Sequence, residues 1–207
     1  QAIYANADAK PGLARLRARA GTSFANFPLR VNCRNTQNIA AVVTLTSGLV
    51  PGYARVLESE EGADVATSFY RSASQQLELL KSRLRRLLRR HSPENIVILS
   101  MRANPSSSAS MLGDSLDGIQ ILPFEKGGIQ GQAAMHYGSV HAFKGMEASA
   151  VVLTDVEQIE GDQAQALLYV GMTRARLDLA VLMNEKLQAT YARLLTAGLR
   201  AHREAQA

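Results

Sequence analysis

Cysteine is nearly missing from this sequence. Cys33 stands alone among 207 residues, so no internal disulfide can form, and such usage suits a reducing compartment. No apolar run reaches the length of about 18 residues that a membrane-spanning helix needs. The first residues, Gln1-Ala2-Ile3-Tyr4-Ala5-Asn6, carry neither the basic nor the apolar region of a signal peptide, and together these absences lead us to expect a cytoplasmic protein without a membrane partner. The four histidines are scattered, and no Cys/His cluster has metal-site spacing, so no metal ligands are assigned. The glycine-rich stretch Lys126-Gly127-Gly128-Ile129-Gln130-Gly131 lacks the Gly-Lys-Ser/Thr ending of a phosphate-cradling P-loop and reads as a flexible hairpin or loop. There is no internal repeat. The chain does not begin with methionine, which suggests a mature or excised fragment.

What is present fits a globular α/β domain. Hydrophobic residues make up 46% and charged residues 20%, a balance that can bury a core. The net charge of +5 permits an anionic partner such as nucleic acid without requiring one. Residues 1–28 read as a connector with a short basic helix at Leu13–Arg19. Leu29–Asn32 reads as a strand. Thr36 is placed to cap a helix over Gln37–Ser47. Val65–Arg71 reads as an edge strand, and Ser74–Arg90 as a helix with leucines at 77, 80, 84, 87 and 88. The other side of that helix bears Lys81, Arg83, Arg85, Arg86, Arg89 and Arg90, which makes either a solvated face or a phosphate-tracking patch. Asn95–Met101 is a buried strand by length and β-branching. Further strands are expected at Ile119–Phe124, Tyr137–Ala142, Ala150–Thr154 and Leu177–Met183, with helices at Gln163–Arg176 and Glu185–Arg200. Strands alternating with helices predict a largely parallel sheet, whose functional groups collect in loops beyond the strand C-termini.

Three of those loops carry the most informative residues, Asn32-Cys33-Arg34-Asn35-Thr36, Val140-His141-Ala142-Phe143-Lys144-Gly145-Met146-Glu147 and Leu168-Tyr169-Val170-Gly171-Met172-Thr173-Arg174-Ala175-Arg176. In this order they resemble motifs IV, V and VI of the UvrD/Rep-like superfamily 1 DNA helicases, and Gln1-Ala2-Ile3-Tyr4 resembles the tail of motif III. Motif IV of the family usually reads Asn-Tyr-Arg-Ser-Thr, and motif V His-x-x-Lys-Gly-Leu-Glu. The resemblance implies a RecA-like (P-loop NTPase-type) three-layer sandwich that lacks its own P-loop. Residues 1–28 would be the tail of a first motor domain and a connector, and residues 29–207 the second RecA-like domain.

The same resemblance implies a division of labour. Nucleotide would lie between two motor domains, with the P-loop and the Asp-Glu metal motif on the first, so that ATP and Mg2+ are held mainly by a domain absent here. Arg34 and Arg174 would reach the γ-phosphate as catalytic arginine fingers, a role for which a planar guanidinium is suited because it meets two phosphoryl oxygens at once. Glu147 would accept a hydrogen bond from the ribose, and Gln1 would sense the γ-phosphate. Ser139, His141 and Lys144 would contact single-stranded or partly duplex DNA. Cys33 departs from the family's tyrosine and has no π-face to stack on adenine, so another residue covers the base or its recognition is looser. The interval between motifs IV and V leaves little room for the family's inserted accessory domain, expected here to be absent or a loop around Ala103–Gln132. Two other readings stay open, namely a non-catalytic nucleic-acid-binding or regulatory module of the same fold, and an ATP-driven protein acting on RNA or a protein complex.

Overall fold

The computed structural model describes residues 18, 31–47, 53, 55–56, 62–124 and 133–204. In chain order its main elements are β1 (Val31–Asn32), α1 (Gln37–Ser47), β2 (Arg55–Val56), β3 (Ala66–Tyr70), α2 (Ala73–Leu87), β4 (Ile96–Ser100), β5 (Ser115–Leu116), β6 (Ile119–Pro123), β7 (Met135–Ser139), β8 (Ala148–Val156), α3 (Asp162–Met172), β9 (Ala175–Asn184) and α4 (Gln188–Glu204). β4 is buried at every position. A strand with no polar face needs cover on both sides, and β4 lies in the middle of a seven-stranded sheet ordered β3-β9-β8-β4-β7-β6-β5. All its pairings are parallel except β5 with β6. β1 and β2 form a separate parallel pair.

Alternation along the strands divides the core into two layers. Val97, Leu99, Val151, Leu153 and Val181 face Ile39 and Val43 of α1, Leu168 and Val170 of α3 and Tyr191 of α4. Ile96, Ile98, Val152 and Leu182 face Leu80, Leu84 and Leu87 of α2. The result is the expected α/β arrangement, a mostly parallel sheet between helices. α1 and α4 cross at Gly198, where a Cβ would stand 2.4 Å from the Leu45 carbonyl oxygen. Among the described residues, no helix is long and apolar enough to cross a membrane.

Several expectations are refined. Helix α1 has the anticipated bounds, but Thr36 does not cap it through its side chain. Its buried hydroxyl makes no hydrogen bond, because the residue is turned against Gly62, whose added Cβ would lie 2.6 Å from it. Strand β7 stops at Ser139, short of His141, because Phe143 N bonds back to Ser139 O and begins a turn. Helix α2 ends at Leu87, capped at its start by the Ser72 hydroxyl. Its basic face is largely paired, with Lys81 on Glu78, Arg85 on Asp117, Arg90 on Asp178 and Arg83 donating to the Ser68 hydroxyl. That favours the solvated-face reading. Within the interval around Ala103–Gln132, β6 is the strand expected at Ile119–Phe124 and joins the main sheet, and the short β5 that pairs with it as a hairpin is unanticipated. The glycine-rich stretch and the basic helix near the start, Ala18 apart, lie outside the described residues.

His136, in β7, is 6% exposed, and its Nδ1 has no partner. Burial holds its pKa below the usual 6.5, with the Ala134 backbone pulling partly the other way. The unfolded chain therefore takes up this proton at a higher pH than the folded chain does. Stability from this residue is complete above about 6.5 and is lost as pH falls below it. Urea midpoints measured at about pH 7.5 and about pH 5 should differ less in His136→Leu than in the unaltered chain; equal differences would remove His136 as a source of acid sensitivity.

Candidate functional site

Strands β8 and β9 start side by side, with Ala148 level with Ala175. Glu147 and Arg174 are the residues just before those starts. They lie ahead of the strand N-termini and not beyond strand C-termini as expected, because the segment after β7 runs back along the sheet before β8 begins. Ala148 N donates to Arg174 O at 3.0 Å, which fixes the two chain entries against each other. A third segment docks on them. Asn32 Oδ1 accepts from the backbone N of Arg34 (3.0 Å) and of Asn35 (2.9 Å), an Asx-type turn. Thr36 N then donates to Arg176 O at 3.1 Å.

The side chains converge at this edge. Arg34 Nε donates to Glu147 Oε2 at 2.7 Å, and Arg176 Nε stands 3.7 Å from Glu147 Oε1. The Arg34 and Glu147 side chains are 41% and 43% exposed, open enough to meet a ligand. Arg174 lies just beyond α3. Its Nε donates to Val170 O at 3.2 Å and its Nη1 to Met146 O at 3.0 Å. The first contact is a cation on a last-turn carbonyl, the ordinary complement to a helix C-terminus. The second ties it to the segment holding Glu147. Tyr53 and Tyr169 join hydroxyls at 3.0 Å beside the same turn. Burial first, and then the Tyr169 hydroxyl, push the Tyr53 phenol above its ordinary pKa, while the Arg34 charge pulls it down.

The segment Val140–Glu147 runs from one edge of the sheet to the other. Ser139 and Thr154 are both level with Ser100 of β4, and the rise from Ala148 to Thr154 is about 20 Å. Val140 and Phe143 are buried in the core beneath this crossing. Ser139 and His141 therefore sit at the far edge from Glu147, while Lys144 lies exposed along the way. Ser139 Oγ accepts from Ala142 N at 3.2 Å. Of the sequence-derived candidates, the structure groups Arg34, Glu147 and Arg174 and sets Ser139 and His141 apart from them. Gln1 lies outside the described residues.

Sequence reasoning missed three residues here. Arg176 was in view as part of a basic helix end, but its approach to Glu147 depends on the β8–β9 register. Asn35 sat inside a recognised motif, with nothing to mark its side chain as buried. Tyr53 had no local signal. Glu147, held between two arginines, belongs to a donor set that suits an anionic ligand and not a cation, and among the described residues no group of three His, Cys, Asp or Glu is placed to hold a metal.

Residues 135–182 match the family profile described as the UvrD-like helicase C-terminal domain. The segment holds the second and third of the loops described above, but not Arg34. No curated protein sequence matches the chain. Among solved structures, the C-terminal domain of a possible DNA helicase from Lactobacillus plantarum WCFS1 shares the fold with a TM-score of 0.62 at 17% identity, over 80% of this chain and 96% of that one. From Met135 to Leu182 the chain is thus similar to the UvrD-like helicase C-terminal domain, carried on a fold shared with a possible helicase's C-terminal domain.

Proposed function

We propose that this chain is the second motor domain of an ATP-dependent DNA helicase or translocase and completes an ATP site whose phosphate cradle lies on a partner domain. The observation that supports this most is the convergence of Arg34, Glu147 and Arg174 from three distant segments on one exposed edge. Two guanidiniums there would neutralise charge developing on a transferring phosphoryl group, and Glu147 would accept from the ribose. Arg34 and Glu147 engage each other at rest, so nucleotide would separate them, leaving Arg176 as the remaining cation beside Glu147. Mg2+ would come with the P-loop domain. Single-stranded DNA would run past Ser139, His141 and Lys144, and closing and opening of the cleft would move the two domains along it.

A non-catalytic nucleic-acid-binding module is the second reading. It draws support from Arg34 and Arg174 being already engaged within the chain. The purified chain alone is expected to show no ATP turnover, because its sequence contains no P-loop, and adding a P-loop-bearing motor domain should restore DNA-stimulated hydrolysis. Robust hydrolysis by the chain alone would rule out the half-site reading.

A further inference from the structure

Asn35 is 2% exposed, and each end of its carboxamide is occupied. Oδ1 accepts from Asn32 Nδ2 at 2.9 Å. Nδ2 donates to Thr173 O at 3.3 Å and to Ala175 O. Those two carbonyls belong to the residues on either side of Arg174. Both are acceptors, so only the nitrogen end of the amide can face them, and its two protons match the two oxygens. Together with Ala148 N on Arg174 O, three successive carbonyls, at 173, 174 and 175, are held by donors from outside their own strand and helix.

We infer that Asn35 is a positioning residue that fixes the Arg174 backbone and so aims its guanidinium at the nucleotide. This rests on the functional reading above. The geometry explains why an amide can hold both carbonyls at once. A serine hydroxyl, the usual group at this point of the motif the turn resembles, has one proton and can hold only one of the two carbonyls. A carboxylate of the same shape has none, and would face two oxygens it repels. The same side chain is hydrogen-bonded through Asn32 to the turn that carries Arg34, so one amide sets the spacing between the two proposed arginine fingers.

The test uses the chain assembled with its P-loop-bearing motor domain. Asn35→Asp is expected to lower kcat for DNA-stimulated ATP hydrolysis by about 10²-fold, the order of loss that a misplacement of about 1 Å brings, with KM for ATP within about twofold. Adding Arg174→Ala to Asn35→Asp should cost much less than it does in the unaltered protein, since both changes act through one group. Asn35→Ser, with one donor left, should fall between, and it serves as the reading if Asn35→Asp does not fold by thermal melting. Loss of kcat in Arg174→Ala with none in Asn35→Asp or Asn35→Ser would overturn this inference alone. Fully additive losses would do the same, since they would make Asn35 merely structural. Unchanged turnover in Arg174→Ala would overturn the reading of the site and this inference together.

Discussion

Replacing Arg174 with alanine is expected to lower DNA-stimulated ATP turnover by about 10³- to 10⁵-fold, the range found for removing an arginine finger, while ATP affinity changes little. The asymmetry follows from what the side chain would meet. A guanidinium that contacts the phosphoryl group mainly as charge spreads over its oxygens stabilises the transition state more than the bound substrate. Arg174→Lys should recover little of the loss, because an ammonium keeps the charge but not the two-pronged fit. The resting contacts with Val170 O and Met146 O give the substitution a structural cost as well, so the melting temperature of Arg174→Ala belongs beside its kinetics. Steady-state hydrolysis with a nucleotide-binding titration decides the matter. Turnover unchanged in a folded variant would favour the non-catalytic module.

The largest stability effect is expected away from that edge, at Asp155. This residue is 3% exposed and sits at the end of β8 with φ 57°, a left-handed conformation that aspartate and asparagine tolerate better than most residues. Its carboxylate accepts from Ser100 Oγ (2.7 Å), Thr154 Oγ1 (3.0 Å), Ser108 N (3.1 Å), Gln76 Nε2 (3.2 Å) and Ser108 Oγ. Those donors join β4, β8, α2 and the turn after β4 at one point. Asp155→Asn keeps the shape and the backbone conformation but replaces an acceptor with an NH2 group facing donors. Buried donors left without a partner, and the lost bonds to a charge, point to a destabilisation of about 3 kcal/mol, or roughly 6 to 12 °C in Tm for a chain of this size. Urea denaturation with an unchanged m-value would register it. A loss well under about 1 kcal/mol would mean that the network is replaceable by water.

The sheet was legible because β4, β8 and β9 are apolar runs of strand length, and α1, α2 and α3 announce themselves by helical periodicity. What failed were features decided by packing across the sheet. Thr36 looks like a helix cap in isolation, but the close approach of Gly62 turns its hydroxyl inward. β1 falls in the strand expected at Leu29–Asn32, but its pairing could not be read, because the partner β2 is two residues long and carries no pattern. For the site, Arg34, Glu147 and Arg174 could be picked out by motif, yet their meeting depends on the register that sets Ala148 level with Ala175. No local rule supplies that register. Asn35 shows the limit most plainly, since a buried bridging amide and a surface turn asparagine look the same in a sequence.

The crossing from Ser139 to Ala148 has a consequence for length tolerance. Fully drawn out, its links would reach about 30 Å, but part of that length is wound into the turns through Phe143, Lys144 and Met146, and it must cover about 20 Å along the sheet while passing over β4. Little slack remains. A tether without slack passes a pull from one end to the other, and one with an extra residue absorbs it. Insertions here should therefore be far less tolerated than insertions in the hairpin between β5 and β6, even where every side chain named above is kept.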